Sequence, residues 1–175
     1  LLILLLAALI NSHVRALPGL DATLQQRGPG SSVSYEPSHD YDPERDPEKD
    51  LAAVGAEARK SNRYIFAVVG GRWCSWCHTM DDFFRKHPDL TALRDRDYVL
   101  MKINMSQENP NRAFLARYPK IHGYPHIFIL NADGKLLQSQ ATNELEDGKS
   151  YNLKRFERFL ERFAPKSATY LLFEY

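Results

Sequence analysis

The sequence predicts an α/β fold, with a central mixed β-sheet flanked by helices on both faces. Two features predict it. Short, unbroken apolar runs rich in β-branched and aromatic residues alternate with segments of helical period. That alternation is the signature of βαβ units. Near the end, Asn131-Ala132-Asp133-Gly134 is a hairpin turn signal, so the last strand returns antiparallel and the sheet is mixed.

In order, the first helix runs from about Glu48 to Ser61, where Leu51, Val54 and Ala58 recur at helical spacing. Tyr64 to Val69 is continuously apolar and suits a strand buried on both faces; Gly70-Gly71 ends it. A second helix starts at Cys74, carries Cys77, Met80, Phe83 and Phe84 on one face, and stops before Pro88. Tyr98 to Asn104 is a second buried strand and Asn111 to Arg117 a short helix. His126 to Leu130 is a third strand, and Lys135 to Gln140 returns as an edge strand. Leu153, Phe156, Leu160 and Phe163 define a last helix. Phe83, Phe84, Phe114, Phe128, Phe156 and Phe163 fall at core spacing and are read as packing.

The flanks differ from this domain. Leu1 to Ile10 is an unbroken apolar run, too short for an ordinary membrane-spanning helix, which needs roughly 20 residues. It is read as the core of a secretory signal peptide, residues 1–16, truncated at its start and cleaved after Ala16. An uncleaved anchor is the alternative. No cysteine follows the run, which argues against a lipid anchor. Residues 17–47 are rich in Pro, Gly, Ser and Asp and are read as a flexible linker. Tyr35 and Tyr41 give it two side chains able to dock on the domain. The compact domain spans residues 48–165, and 166–175 form a C-terminal tail.

With 43% apolar and 26% charged residues, the chain has the composition of a globular protein with a core. A formal net charge of +1 gives no electrostatic reason to expect nucleic acid or an acidic membrane surface as a partner. Lys154, Arg155, Arg158 and Arg162 are interleaved with Glu157 and Glu161 and read as a solvated helix face. The two cysteines sit in one four-residue window, so a bridge between them would staple almost nothing. That points to chemistry rather than architecture.

Cys74-Ser75-Trp76-Cys77 lies at the first turn of the second helix. Free backbone N–H groups and the positive end of the helix dipole favour a thiolate at the first cysteine. The thiolate is the form that attacks a disulfide. Cys74 is therefore the expected exposed nucleophile. Cys77, one turn deeper, is the expected resolving thiol. Three other readings of the pair stand beside this one. Cys74 to His78 also spells a haem c attachment motif, but Met80 is too close in sequence to reach the opposite face as second ligand. A structural zinc needs four ligands, and His87, His122 and His126 are scattered. An inert buried pair is the third. The expectation is that no cofactor and no metal is used.

Trp73-Cys74-x-x-Cys77 between a buried strand and a helix resembles the thioredoxin superfamily, as does Gly123-Tyr124-Pro125 before the third strand. The resemblance covers roughly Glu48 to Ala164. It implies a thioredoxin-like fold, with a cis-proline at Pro125 facing the active-site sulfurs. The Tyr124 backbone would then be offered to a substrate segment as an extra strand. Residues 71–84 look like secreted bacterial thioredoxin-like proteins, including the C-terminal periplasmic domain of the thiol–disulfide interchange protein. The implied activity is thiol–disulfide exchange with protein substrates and a redox partner protein. The implied location is the bacterial periplasm, as a monomer with no membrane contact beyond the signal segment. The expected substrate-binding residues are Trp73, Trp76, Tyr124 and Pro125.

Departures from that family bear on mechanism. Thioredoxin places a buried acid where this chain has Val68, so a proton acceptor must come from elsewhere. Lys102 matches the lysine that partners that acid and is read, without it, as the exposed end of a strand. Asp81 and Asp82 are expected on or near the solvent face. Ser75-Trp76 replaces Gly-Pro, which tunes the potential; Trp76 is also a candidate docking surface for an apolar partner. A redox-inert thioredoxin-fold binding or chaperone module is the alternative function.

Overall fold

In a computed structural model of the chain, the residues described are 35–166. The expected signal segment, the linker up to residue 34 and the tail from residue 167 lie outside them.

The elements are α1 (Pro47–Ser61), β1 (Tyr64–Gly70), α2 (Ser75–Lys86), α3 (Pro88–Asp97), β2 (Tyr98–Asn104), α4 (Arg112–Leu115), β3 (His126–Leu130) and β4 (Leu136–Ala141). A 3-10 turn (Thr142–Leu145), the short ribbon β5 (Glu146–Asp147) and β6 (Ser150–Tyr151), and α5 (Leu153–Arg162) follow. The main sheet has the order β2-β1-β3-β4. β1 runs parallel to β2, from Tyr64 opposite Tyr98 to Gly70 opposite Asn104, and antiparallel to β3. β4 pairs antiparallel with β3. The mixed sheet with helices on both faces is therefore present.

Local chemistry explains the boundaries. Asp46 caps α1 by accepting from the Glu48 N–H at 2.9 Å, and Pro47 occupies the first turn, where its missing N–H costs nothing. Asn131 Oδ1 accepts from the N–H groups of Asp133 and Lys135, which shapes the β3–β4 turn. Gly134 sits in that turn at φ +77°, a conformation that favours glycine.

Alternation along the strands divides the core in two. Ile65, Ala67, Val69, Met101 and Phe128 face Val54 and Ala58 of α1 and Phe114 of α4. Phe66, Val68, Leu100, Ile127 and Ile129 face α2, α3 and α5, with Phe83, Phe84, Leu90 and Phe156 buried there. The Tyr98 hydroxyl donates to the Leu160 carbonyl at 2.7 Å and ties β2 to α5.

Two elements depart from the sequence reading. Pro88 ends α2 and also begins α3, with His87 closing one helix and opening the next. Proline is tolerated at a first helical position, so the same residue does both. The chain also makes the β5–β6 ribbon, which packs against α2. The segment ahead of α1 is docked on the domain. Tyr35 enters the core on the α1 face and Tyr41 the core on the α2 face. Asn109 Nδ2 donates to the Pro43 carbonyl at 2.7 Å, and Lys102 Nζ to the His39 carbonyl at 2.8 Å.

Candidate redox site

β1 delivers the chain to Gly70, and one turn later the Cys74 N–H donates to the Gly71 carbonyl at 3.0 Å. Cys74 is then the N-cap of α2. Its backbone is extended, and its Sγ accepts from the Cys77 N–H at 3.2 Å. Its carbonyl accepts from the N–H groups of Cys77 and His78 at 3.1 and 3.3 Å. A sulfur here replaces the oxygen of the usual Ser, Thr, Asp or Asn cap. A thiolate at the same place accepts that N–H more strongly and faces the positive end of the helix.

Cys74 and Cys77 form a disulfide, with their Cα atoms 5.2 Å apart. Cys74 retains 4% of its surface and Cys77 none. The expected order of access holds, but Cys74 is nearly covered rather than exposed. It belongs to the α2-side core, against which Trp76 and Tyr124 pack.

Of the residues expected to bind substrate, Trp73 is 58% exposed, its Nε1 donating to the Met105 carbonyl at 2.7 Å. Its ring meets Tyr124 edge-on at 5.6 Å. The Tyr124–Pro125 peptide is cis, and the Pro125 carbonyl accepts from Thr142 Oγ1 at 2.7 Å. A groove beside Trp73 is lined by Met105, Ser106, Glu108, Pro110 and Arg112. Trp76 turns instead toward Tyr151, at 5.4 Å between ring centres. Trp73 and Tyr124 thus come together, and Trp76 stands with a different partner. His78 holds the preceding loop, its Nε2 lying 2.8 Å from the Arg72 carbonyl.

Lys102 requires a correction. It is buried, not an exposed strand end, and stands opposite Val68 in register. Its Nζ donates to Asp81 Oδ2 at 2.7 Å as well as to the His39 carbonyl. Asp81 follows Cys77 by four residues, which places both on one face of α2. Its carboxylate is turned to Lys102, with the side chain 39% exposed. The pair Asp81–Lys102 therefore stands at the wall of the site where Val68 supplies no acid. The four-residue spacing from Cys77 was the available signal; the polarity of Asp81-Asp82 masked it.

The other residue not foreseen at the site is Tyr41. A methyl placed on Gly70 would meet Cys77 Sγ at 2.5 Å and the Tyr41 ring carbons Cε1 and Cζ at 3.0 Å. Bare Gly70 is what lets the sulfur and the ring share one α-carbon. Lys102 Nζ lies 4.6 Å from the Tyr41 ring centre. Burial, with the Asp81 charge adding to it, holds the Tyr41 hydroxyl well above its ordinary pKa.

Residues 46–132 match a thioredoxin-like family. The folded domain is thioredoxin-like. Among solved structures, a disulphide isomerase from Xylella fastidiosa Temecula1 superposes on this thioredoxin-like domain with a TM-score of 0.60 at 22% identity, covering 70% of this chain and 94% of that one. The C-terminal domain of Neisseria meningitidis DsbD does so in its oxidised form, with a TM-score of 0.50 at 18% identity over 67% of this chain and 95% of that one. Its reduced form gives 0.52 at 19% identity, over 67% of this chain and 96% of that one. At these identities the likeness is one of fold. Human spermatogenesis-associated protein 20 is 34% identical over 55 residues, which are 31% of this chain and 7% of that protein. The matched stretch is a small part of that relative.

Proposed function

We propose that this chain is a thiol–disulfide oxidoreductase acting on other proteins. The observation that carries the reading is the Cys74–Cys77 disulfide at the mouth of α2, with the outer sulfur capping the helix and the inner one sealed. In the oxidised form a partner thiolate attacks Cys74 Sγ. The S–S bond breaks and its electron pair leaves on Cys77. A second partner thiolate then displaces Cys74, and the partner departs as a disulfide. Run backward, Cys74 is the nucleophile and Cys77 the resolving thiol.

Trp73, Tyr124 and Pro125 form the proposed substrate face, and Trp76, packed on Tyr151, is proposed as a further substrate contact. The partner segment lies along the Tyr124 backbone as an added strand. We further propose residues 1–16 as a signal peptide, 17–47 as a linker whose stretch from Tyr35 onward is docked rather than flexible, and 48–165 as the thioredoxin-like domain. The protein works as a monomer in the bacterial periplasm, where disulfide chemistry is in demand.

Mixed-disulfide trapping tests the assignment. Cys77→Ala is expected to accumulate a covalent adduct with an oxidised protein substrate, visible by non-reducing mass analysis, and Cys74→Ala is not. Equal trapping by both variants refutes the roles. A pair that shows no redox-dependent alkylation refutes the activity and favours a binding module. The potential of the pair fixes direction: near about −270 mV it is a reductant, near about −120 mV an oxidant.

A further inference from the structure

The Tyr41 side chain is 1% exposed, and its hydroxyl has no hydrogen-bond partner among the described residues. An unpaired buried hydroxyl is costly, and such groups are rare in folded proteins. The Tyr35 hydroxyl is also unpaired, but Tyr35 lies in the core on the other face of the sheet. Tyr41 is different because of what it adjoins. Its Cζ, the atom that carries the hydroxyl, lies 3.0 Å from the point where a Gly70 Cβ would sit, and Cys77 Sγ lies 2.5 Å from the same point.

Opening the disulfide changes what that hydroxyl faces. When a partner dithiol delivers two electrons through Cys74, the released pair resides on Cys77 Sγ. That sulfur has no exposed surface, so water cannot solvate its charge. The charged and titratable groups around Tyr41 are Lys102 on β2, Asp81 on α2, Tyr151 on β6 and Asp40 in its own segment. The Lys102 ammonium is engaged with Asp81 and the His39 carbonyl. Asp40 is engaged by Arg72 at 2.7 Å, and the Tyr151 hydroxyl donates to the Trp76 carbonyl at 3.4 Å. Lys102 thus spends two of its three N–H donors, whereas the Tyr41 O–H, whose ring carbon Cζ adjoins the same point as Cys77 Sγ, is wholly uncommitted.

We propose that Tyr41, carried in by the segment ahead of α1, is a further residue of the redox site, whose hydroxyl donates a hydrogen bond to the Cys77 sulfur of the reduced form. The donor is idle in the disulfide state and paired in the dithiol state. It therefore favours reduction and makes the pair more oxidising. Tyr41 keeps its proton throughout; it stabilises the leaving sulfur and does not transfer the proton to it.

This inference rests on the oxidoreductase reading and is tested separately from it. Wild-type protein is equilibrated in glutathione buffers of graded ratio, and Tyr41→Phe is compared with it. Phenylalanine keeps the ring against Gly70 and removes only the oxygen. The expected result is a shift of the equilibrium toward the disulfide by about tenfold, or about 30 mV more negative. A shift below about twofold overturns the proposal while a reversible wild-type titration leaves the oxidoreductase reading standing. A wild-type pair that does not titrate at all refutes both. A measurement on unaltered protein gives an independent check. Nuclear magnetic resonance should show the Tyr41 hydroxyl proton exchanging with water more slowly after reduction; equal exchange in both forms overturns the proposal.

Discussion

Replacing Gly70 by alanine places one methyl group where two rigid neighbours already meet. The added carbon would lie 2.5 Å from Cys77 Sγ and 3.0 Å from two Tyr41 ring carbons. Neither neighbour is the free end of a flexible chain. The sulfur is fixed through its bond to Cys74, and the ring is held between Gly70 and Lys102. Overpacking of a well-filled core costs about 1–3 kcal/mol. With both neighbours pinned, the upper half of that range applies, about 2–3 kcal/mol. For a domain of this size that is a fall in Tm of roughly 10 °C. Thermal unfolding followed by circular dichroism, without reductant, measures it directly. Gly123→Ala is the matched control: a methyl there meets nothing within 4 Å, and its effect should stay within about 0.5 kcal/mol. If Gly70→Ala loses no more than the control, the close approach of sulfur, glycine and ring is not as described.

Two further outcomes follow from polar groups outside the site. Tyr98→Phe removes the hydrogen bond to the Leu160 carbonyl and leaves a buried acceptor unpaired. It should lower stability by about 1–2 kcal/mol in urea unfolding, and no loss would refute the link between β2 and α5. His126 is buried beside Ser139, and burial, with His122 adding to it, lowers its pKa below the ordinary 6.5. The unfolded chain thus takes up a proton first as pH falls. The contribution is complete above about pH 6.5 and is lost as pH drops toward the folded-state value. Urea midpoints at about pH 7.5 and about pH 5.5 should differ less in His126→Gln than in wild type; identical differences would refute this.

The parts of the molecule legible in the sequence are those written in contiguous residues. β1, β2 and β3 are short, mostly apolar runs because both their faces are covered, and such runs need no tertiary knowledge to recognise. Trp73, the two cysteines and Tyr124-Pro125 stand out for the same reason. α3 was hidden because Leu90 is its one buried residue and its first residue is a proline, read as a stop. Tyr41 was visible as a docking side chain but not as a neighbour of Cys77, since its segment has the composition of a linker. Lys102 and Asp81 each looked like solvent-facing charges. What they share is the other one, and a pair formed between a strand and a helix leaves no mark on either stretch of sequence.

The division of the core by the sheet bears differently on two properties, folding stability and redox potential. The sulfurs, Gly70, Tyr41 and the Lys102–Asp81 pair all lie on the α2 side. Substitutions behind the sheet, among Val54, Ala58 and Phe114, change the folding free energy of the oxidised and reduced proteins alike. Such changes cancel from the redox equilibrium, which depends only on the difference between the two forms. Substitutions in front of the sheet do not cancel. Durability can thus drift in evolution, or be engineered, behind the sheet while electron affinity is held constant.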